Sequence, residues 1–541
     1  MSSSKQYQQQ PEDEELGPVT IAEDEVEEIL DVEDPDGDVA MGSDDEGPEE
    51  IALENDSIAY FDGHKDSVFA IAQHPLYPNI VATGGSEGDA DDAPGKGYVL
   101  DISAAAGRPV LPPSYNSDPS SAPQQNTSLN PIFEIDGHTD SINALTFTLP
   151  RGDFLVSGGM DGRMRVYAVS VPQNGALAQF KFLAESQETE EINWFAPCPS
   201  PDHPNTIALG ASDGSVWVFT LDASDPSNPV QIVQSYFLHT GPCTAGAWSP
   251  DGLLLATVSE DESLHVYDVF GVAASKSLVT DNGQTVVSLT NVDQRFAVEG
   301  GLFSVAVSPT GAVVAVGGAG GQIKIVGLPR LSQPQQPQSQ SQSRTGKAPA
   351  GRAGRPSQQQ QTTSHQAGTI LASLQIQSDN IESLAFSPSA PILAAGSTDG
   401  SIAVFDTSRS FALRRHLRGA HAEDPVVKVE FVKSPPNAAM AGWLLTSCGM
   451  DGVVRRWDLR GGTAGPGTLP HMQHLQQQRQ QQQEGAAPSG LVKEWKGHRS
   501  GQEGGGVLGF VQGETGERIV TVGDDAVVLV FEAGSHHHHH H

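Results

Sequence analysis

Cysteine, positive charge, aromatic rings and long apolar runs are all scarce in this sequence, and each shortage closes off a class of function. Three cysteines, Cys198, Cys243 and Cys448, are spread over 541 residues. They form no CxxC or other zinc spacing, and a secreted disulfide scaffold would need more of them. A reducing compartment, cytoplasmic or nuclear, is therefore expected. Lys and Arg number 30 against 67 Asp and Glu, a formal net charge of −37. Nucleic-acid phosphates need a basic surface, so direct nucleic-acid binding is not expected. Docking on an anionic membrane leaflet is excluded on the same ground. No apolar run approaches the roughly 20 residues of a membrane helix, and the polar, acidic start is unlike a signal peptide. No P-loop, nucleotide-binding glycine motif, metal cluster or unique carboxylate pair occurs, so no cofactor, no metal and no enzymatic activity are expected. The glycines from 317 to 321 lack the following helix and lysine of a phosphate cradle. The six histidines from His536 follow Gly534-Ser535 and read as a purification tag rather than a metal site.

What is abundant is acid, and it is unevenly placed. Residues 1–56 hold 21 Asp and Glu and one Lys, leaving −20 there and −17 for the remainder. Self-repulsion and the lack of apolar area predict a disordered acidic arm over 1–56. A hydrophobic fraction of 37% is low enough to require further unfolded length. Segments 107–130, 332–366 and 461–490, rich in Pro, Ser, Asn and Gln, supply it as insertions within a domain over 57–533.

The rest of the chain is a repeat. Its unit is a Gly-His or similar dipeptide, an alternating apolar run, often a Ser-Pro turn, a second apolar run, then Asp-Gly and a third run ending in an aromatic. The clearest copy holds Gly137-His138, 142–147, 154–157, Asp161-Gly162 and 164–167. Others hold His239, Asp261 and 264–268, or His421, Asp451-Gly452 and Trp457-Asp458. Weaker copies start near Gly63-His64, Ile192, Leu302, Ile381 and Gly497-His498, which makes eight. Period-two alternation broken by tight turns is a strand signal, and Asp-Gly between apolar runs marks a hairpin. These units resemble WD40 repeats, which implies an all-β fold, an eight-bladed WD40 β-propeller. The final copy ends at its third strand, 527–531, so the short strand 57–61 is expected to complete the last blade and remove an open edge.

The resemblance gives the recurring polar residues a structural role. His138, Ser157, Asp161 and Tyr167 would form one buried hydrogen-bonded set. His239, Thr257, Asp261 and Tyr267, and His421, Ser447, Asp451 and Trp457, would form others. A Ser-His-Asp nucleophile would not recur blade after blade, and buried polar groups need partners.

WD40 rings commonly bind extended peptides on the face that carries the turns between second and third strands. Two positions per blade would point there. One, just after the first apolar residue of the first strand, is held by Phe69, Asn143, Asn193, Thr244, Phe303, Glu382 and Val427. The other, before the turn Asp, is held by Ser86, Met160, Ser212, Glu260, Ala319, Thr398, Met450 and Asp524. Glu87, Glu191 and Glu262 are neighbouring acids. An apolar centre with acids around it and almost no base suits a peptide with Arg or Lys and aromatic anchors. The peptide-binding candidates are Phe69, Glu87, Glu191, Glu260, Phe303, Glu382, Met450 and Asp524.

The acidic arm, the eight repeats, and the stretches Gly63-His64-Lys65-Asp66-Ser67-Val68, Ile381-Glu382-Ser383-Leu384 and 448–458 (CGMDGVVRRWD) resemble the angio-associated migratory cell protein family. Its fungal members are the ribosome-assembly chaperones known as suppressors of QSR truncation. The resemblance implies a cytoplasmic, monomeric chaperone for the basic N-terminal segment of a newly made large-subunit ribosomal protein of the L-ten class. The acidity of this chain agrees with that independently. A runner-up rests on Trp457-Asp458-Leu459-Arg460, which matches the WDxR pattern of substrate receptors docking on a cullin adaptor. A generic WD40 scaffold is the third alternative. Truncation before Ser57 separates arm from ring: if the face alone binds a basic client, affinity measured by calorimetry stays within about threefold, a change of under about 0.7 kcal/mol.

Overall fold

Alternating apolar residues cannot bury both faces of an isolated four-stranded sheet, so each repeat must stack against its neighbours. A computed structural model shows the result for residues 54–105, 127–331, 366–461, 490–499 and 505–534. The acidic arm through residue 53, and most of each segment read as an insertion, lie outside the described residues.

Eight antiparallel four-stranded sheets form the blades. Their innermost strands are Val68–Gln73, Ile142–Phe147, Ile192–Pro197, Cys243–Trp248, Leu302–Val307, Ile381–Phe386, Val426–Phe431 and Val507–Val511, in blades 1 to 8. In blades 1 to 7 the four strands follow one another in the chain. Blade 8 takes its outermost strand from the other end of the domain. Ala59–Phe61 pairs antiparallel with the third strand, Val528–Glu532, matching Ala59 to Val530 and Phe61 to Val528. The closing strand expected over 57–61 is therefore present, two residues shorter at its start. Its free side is covered as well. Tyr60 N–H donates to the Thr127 carbonyl at 3.2 Å, and Leu129 N–H donates to the Tyr60 carbonyl at 2.9 Å. Residues 127–129 thus form a fifth rung, and the closing strand presents no open edge there.

The core is eight wedges rather than one mass. Each apolar cluster joins facing sheets of two adjacent blades, such as Leu254, Val266, Val287, Leu302, Val316 and Val326 between blades 4 and 5. The closing seam between blades 8 and 1 gathers Ile58, Phe61, Val81, Tyr98, Leu100, Val520 and Val528. Phe61 packs edge-on to Tyr98 with centroids 4.9 Å apart. Gly63 is required beside it, because a Cβ there would lie 2.4 Å from the Phe61 ring.

The polar sets join strands within blades. His64, His138, His239, His421 and His498 place Nε2 at 2.7–2.8 Å from Thr83, Ser157, Thr257, Ser447 and Thr521. Nδ1 meets the turn carboxylate of Asp161, Asp451 or Asp525 at 3.2, 3.0 and 2.9 Å. Burial would push the Asp161 and Asp451 carboxyls up, yet hydrogen bonds from His138 and the Arg163 and Thr139 N–H groups hold Asp161 below the ordinary range, and His421 with Arg455 holds Asp451 there. Blade 4 departs from the expected set: Ser263 sits between His239 and Asp261, leaving ring and carboxylate 3.9 Å apart. Blade 1 carries Glu87 at that position, but His64 Nδ1 makes no hydrogen bond to it, and burial keeps His64 neutral, down to about 3. The expected aromatic joins in blade 7, where Trp457 donates to Ser447 Oγ at 2.9 Å. In blade 2 the Tyr167 hydroxyl instead donates to the Asp136 carbonyl at 3.3 Å.

Replacing Phe61 by Ala removes a ring from the closing seam and leaves a cavity there. A loss of about 3–5 kcal/mol is expected, read as a lowered urea midpoint, with a steeper loss than for the same change at half-exposed Phe303.

Candidate peptide-binding face

Two backbone features recur in every blade and build one end of the ring. The first is a register shift in the innermost strand. Val68 and Ala70 face Gly85 and Gly84, so Phe69 is an extra residue that pairs with nothing. The same bulge falls at Asn143, Asn193, Thr244, Phe303, Glu382, Val427 and Leu508. A bulge kinks the strand and re-aims one side chain out of the ladder. Seven of the eight are the residues expected to point at a ligand, and Leu508 completes the ring. The second feature fixes the other set. Ser86, Met160, Ser212, Glu260, Ala319, Thr398, Met450 and Asp524 each donate their N–H to the carbonyl just before the innermost strand, at 2.9–3.2 Å. Turn and bulge are thereby held side by side in all eight blades.

The bulged side chains divide the mouth of the channel into arcs. In blades 2 to 4 they knit one blade to the next. Asn143 Nδ2 donates to the Ile192 carbonyl at 3.2 Å, Asn193 Nδ2 to Cys243 at 2.9 Å and Thr244 Oγ1 to Leu302 at 2.7 Å. In blades 7, 8 and 1 the series is Val427, Leu508 and Phe69, the last exposed. The centre therefore has an apolar arc over blades 7, 8 and 1 with Phe303 of blade 5 apart from it, and the polar arc of blades 2 to 4 is already occupied by interblade hydrogen bonds.

The remaining candidates take these positions. Glu260 is exposed, and Gly301 separates it from the half-buried ring of Phe303 in the next blade. Met450 lies against Gly506. Asp524 accepts from Ser67 Oγ, joining blades 8 and 1. Glu191 accepts from Ser212 Oγ at 3.2 Å. Glu87 is 3.4 Å from Lys65, which takes up part of its charge. Water reaches Glu382, yet the surrounding walls crowd its carboxyl. That desolvation, reinforced by Asp379, holds it above the usual carboxylate range. One base near the mouth was not foreseen: Lys428 follows the bulge of blade 7, donates to the Phe510 carbonyl at 2.8 Å and pairs with Glu430 at 3.4 Å.

The opposite end differs in character. A cavity of about 820 Å³ opens there, lined in part by Gln73, Leu76, Glu430, Gln512, Glu514 and Arg518. It includes none of the predicted candidates. The segments read as insertions also leave the ring at this end, between third and outermost strands of blades 1, 5 and 7. So does the WDxR stretch: Trp457 is wholly buried, and Arg460 closes on Asp458 at 2.9 Å. Among the described residues no group of His, Cys, Asp and Glu is placed to hold a metal ion. No described helix is long and apolar enough to cross a membrane.

A family model described as WD domain, G-beta repeat matches residues 129–168, 230–268 and 368–406. Each match begins at or just before an outermost strand and ends on the third strand of the next blade, so sequence repeat and blade are offset by one strand. The chain resembles a crystal structure of Chaetomium thermophilum Sqt1, with 83% identity, 90% of this chain and 100% of that one covered, and a TM-score of 0.74. It resembles nearly as well the same protein bound to the N-terminus of the ribosomal protein L10, with 82% identity, 89% and 100% coverage, and a TM-score of 0.72. The ribosome assembly protein SQT1 of Saccharomyces cerevisiae is 32% identical over 43% of this chain; the chain spans about half, 47%, of that relative's length.

Because the Glu382 carboxyl is held above its unfolded value, the folded state binds its proton more tightly, and the ionised form costs stability at neutral pH. Glu382→Gln is expected to raise the melting temperature at pH 7 and to leave it unchanged at pH 3, below both pKa values. Equal gains at both pH values would show that the charge is not the cause.

Proposed function

This chain belongs to the Sqt1 family, and on that premise we propose that it is a dedicated chaperone of large-subunit assembly, holding the basic N-terminal segment of newly made ribosomal protein L10. The observation that carries this reading is the 82%-identical relative bound to the N-terminus of that protein. The site is the bulged end of the ring, with Phe69, Phe303 and Met450 as apolar contacts and Glu87, Glu191, Glu260, Glu382 and Asp524 as counter-charges. Backbone bonds fix the turns there, so little order remains to be imposed when a peptide arrives.

Charge explains both capture and release. An acidic ring attracts a basic segment over a distance set by ionic strength. Once bound, the segment is shielded from stray RNA. Glu382 favours such a guest for a further reason: its ionised form is strained in the empty ring, and an arriving cation relieves that strain. Ribosomal RNA presents far denser negative charge and can take the segment back. The role is that of a cytoplasmic binding module rather than an enzyme. In support, the Ser157 and Ser447 hydroxyls are wholly buried, and His–Ser/Thr pairs recur in five blades, as structural clamps do.

Reversing two acids tests the face. Glu260→Lys with Glu382→Lys is expected to weaken the L10 N-terminal peptide about tenfold or more at low salt, with a smaller gap at 0.5 M salt. Asp225→Lys, in the 222–229 loop at the opposite end, serves as control. Unchanged affinity of the double variant would overturn this placement of the peptide.

A further inference from the structure

We infer that blade 3 carries a radial track for an extended cationic peptide, leading from the channel mouth to an outer corner made by Trp217, Phe237 and Asp213. This deepens, and rests on, the reading of the ring as a chaperone for a basic segment.

The track begins with a lapse in the repeat. Blade 3 has no clamp histidine, and Leu209 stands where the clamped blades carry Ser or Thr. Its turn acid is consequently released. Side chains of Asp161 and Asp525 are 4% and 1% exposed against their histidines, whereas Asp213 is exposed. Asp213 uses Oδ1 to accept from the N–H and Oγ of Ser215, and among the described residues no Lys or Arg pairs with it. A second departure lies beside it. The residue opposite the clamp position on the third strand is Arg165 in blade 2, Lys324 in blade 5 and Arg455 in blade 7. Arg165 and Arg455 are paired there with Glu185 and with Asp451 and Glu494, and Lys324 is buried, so none of the three positions offers a basic guest a ring or a free acid. Blade 3 has Trp217 there.

The pieces connect. Ser212 Oγ lies within hydrogen-bond distance of both Asn193 Oδ1, at 2.9 Å, and Glu191 Oε1, at 3.2 Å. The next residue is Asp213. Trp217 Nε1 donates to Ser215 Oγ at 2.9 Å, linking the indole to that acid. Phe237 meets the indole edge-on, with centroids 5.7 Å apart and planes at 89°. Phe237 follows the outermost strand, Val230–Tyr236, and is 65% exposed. It stands at the same end as the 213–214 turn, since a Cβ on Gly214 would meet the His239 and Gly241 carbonyls, 2.7 Å away, in the link that Phe237 begins. Exposed Glu188 and Glu190 border the path. A carboxylate beside an exposed phenylalanine and a half-buried indole, with no base to screen it, suits an Arg or Lys side chain through a charge-assisted bond and cation–π contact. A peptide whose cation is held by Glu191, beside the mouth, would place the next such side chain at the corner.

Calorimetry with the L10 N-terminal peptide tests the track. Phe237→Ala changes an exposed residue and is expected to weaken binding about fivefold, within the usual range for an exposed cation–π contact plus lost area. Asp213→Asn is expected to cost about threefold or more at low salt. Trp217→Arg, which restores the charge found in blades 2, 5 and 7, should cost more than either, with circular dichroism confirming the fold. Ile232→Ser, on the same outer strand but away from the turn, should change nothing. If the unaltered protein does not bind the peptide, the functional reading and the track both fall. If it binds, and Phe237→Ala and Asp213→Asn stay within 1.5-fold of it, the track alone is overturned and the central mouth remains.

Discussion

Closure of the ring rests on three residues of backbone pairing, Ala59–Phe61 against Val528–Val530. Every other seam joins neighbouring parts of the chain, but this one joins its two ends. The channel mouth exists only while it holds, because bulges and turns of eight blades converge on one opening only in a closed ring. The pairing is short, and the molecule reinforces it from three sides. Phe61 and Ile58 enter the seam between blades 8 and 1. Thr127 and Leu129 bond the outer side of Tyr60. Asp56 bonds Lys496 in both directions, N–H to carbonyl at 2.7 Å and carboxylate to N–H at 2.8 Å. A stretch whose composition suggests a featureless insertion thus ends in residues that hold the ring shut.

Closure gives rigidity, and the repeated turn bond converts rigidity into a platform. Each turn is held by the same backbone bond, N–H to carbonyl, whatever side chain stands there, so the fold does not dictate the residue even where, as at Asp524, it makes a bond of its own. Ser, Met, Glu, Ala, Thr and Asp all occupy it. The bulge does the same for the innermost strand, where Phe, Asn, Thr, Glu, Val and Leu alternate. A face built in this way varies its chemistry without refolding, which is the physical reason one architecture serves many partners. Here the variation gives a half-apolar mouth, a polar arc consumed by interblade bonds, and acids set around both.

Much of this was legible in the sequence because it depends on local periodicity. Strand, turn and clamp each leave a short-range mark, such as Ile142–Phe147, Asp161-Gly162 or His421 with Asp451, and repetition turns weak marks into strong ones. The bulge positions were legible for the same reason. Leu508 was missed because the last copy departs most from the pattern around its first strand. What could not be read was who pairs with whom across blades. Nothing local says that Asn143 and Asn193 spend their amides on the next blade, that Lys428 lies beside the mouth, or that Ser263 separates His239 from Asp261. Turn chemistry also misleads where φ is positive without glycine, as at Glu262 (74°) and Ala526 (69°); a strict Asp-Gly search passes over both blades.

The clamps and the binding face draw on the same kind of residue, and the difference between them is a partner. A turn carboxylate that meets a histidine is desolvated, held ionised by its hydrogen bonds, and removed from any role at the surface. The same carboxylate without the histidine stays in solvent with its charge available. Each blade therefore chooses between stability and recognition at this position. Five blades keep the histidine and gain a cross-strand tie, although in blade 1 the acid, Glu87, makes no bond to His64 and blade 4 ties its histidine through Ser263. Blade 6 substitutes Gln377, which donates to the Ala395 and Ser401 carbonyls at 3.0 and 3.1 Å, and so keeps the tie without a ring. Blades 3 and 5 forgo it. A ring of eight tolerates that loss because the apolar seams on both sides of a blade carry most of its burial, and recognition is cheapest to place where the structural tie is absent.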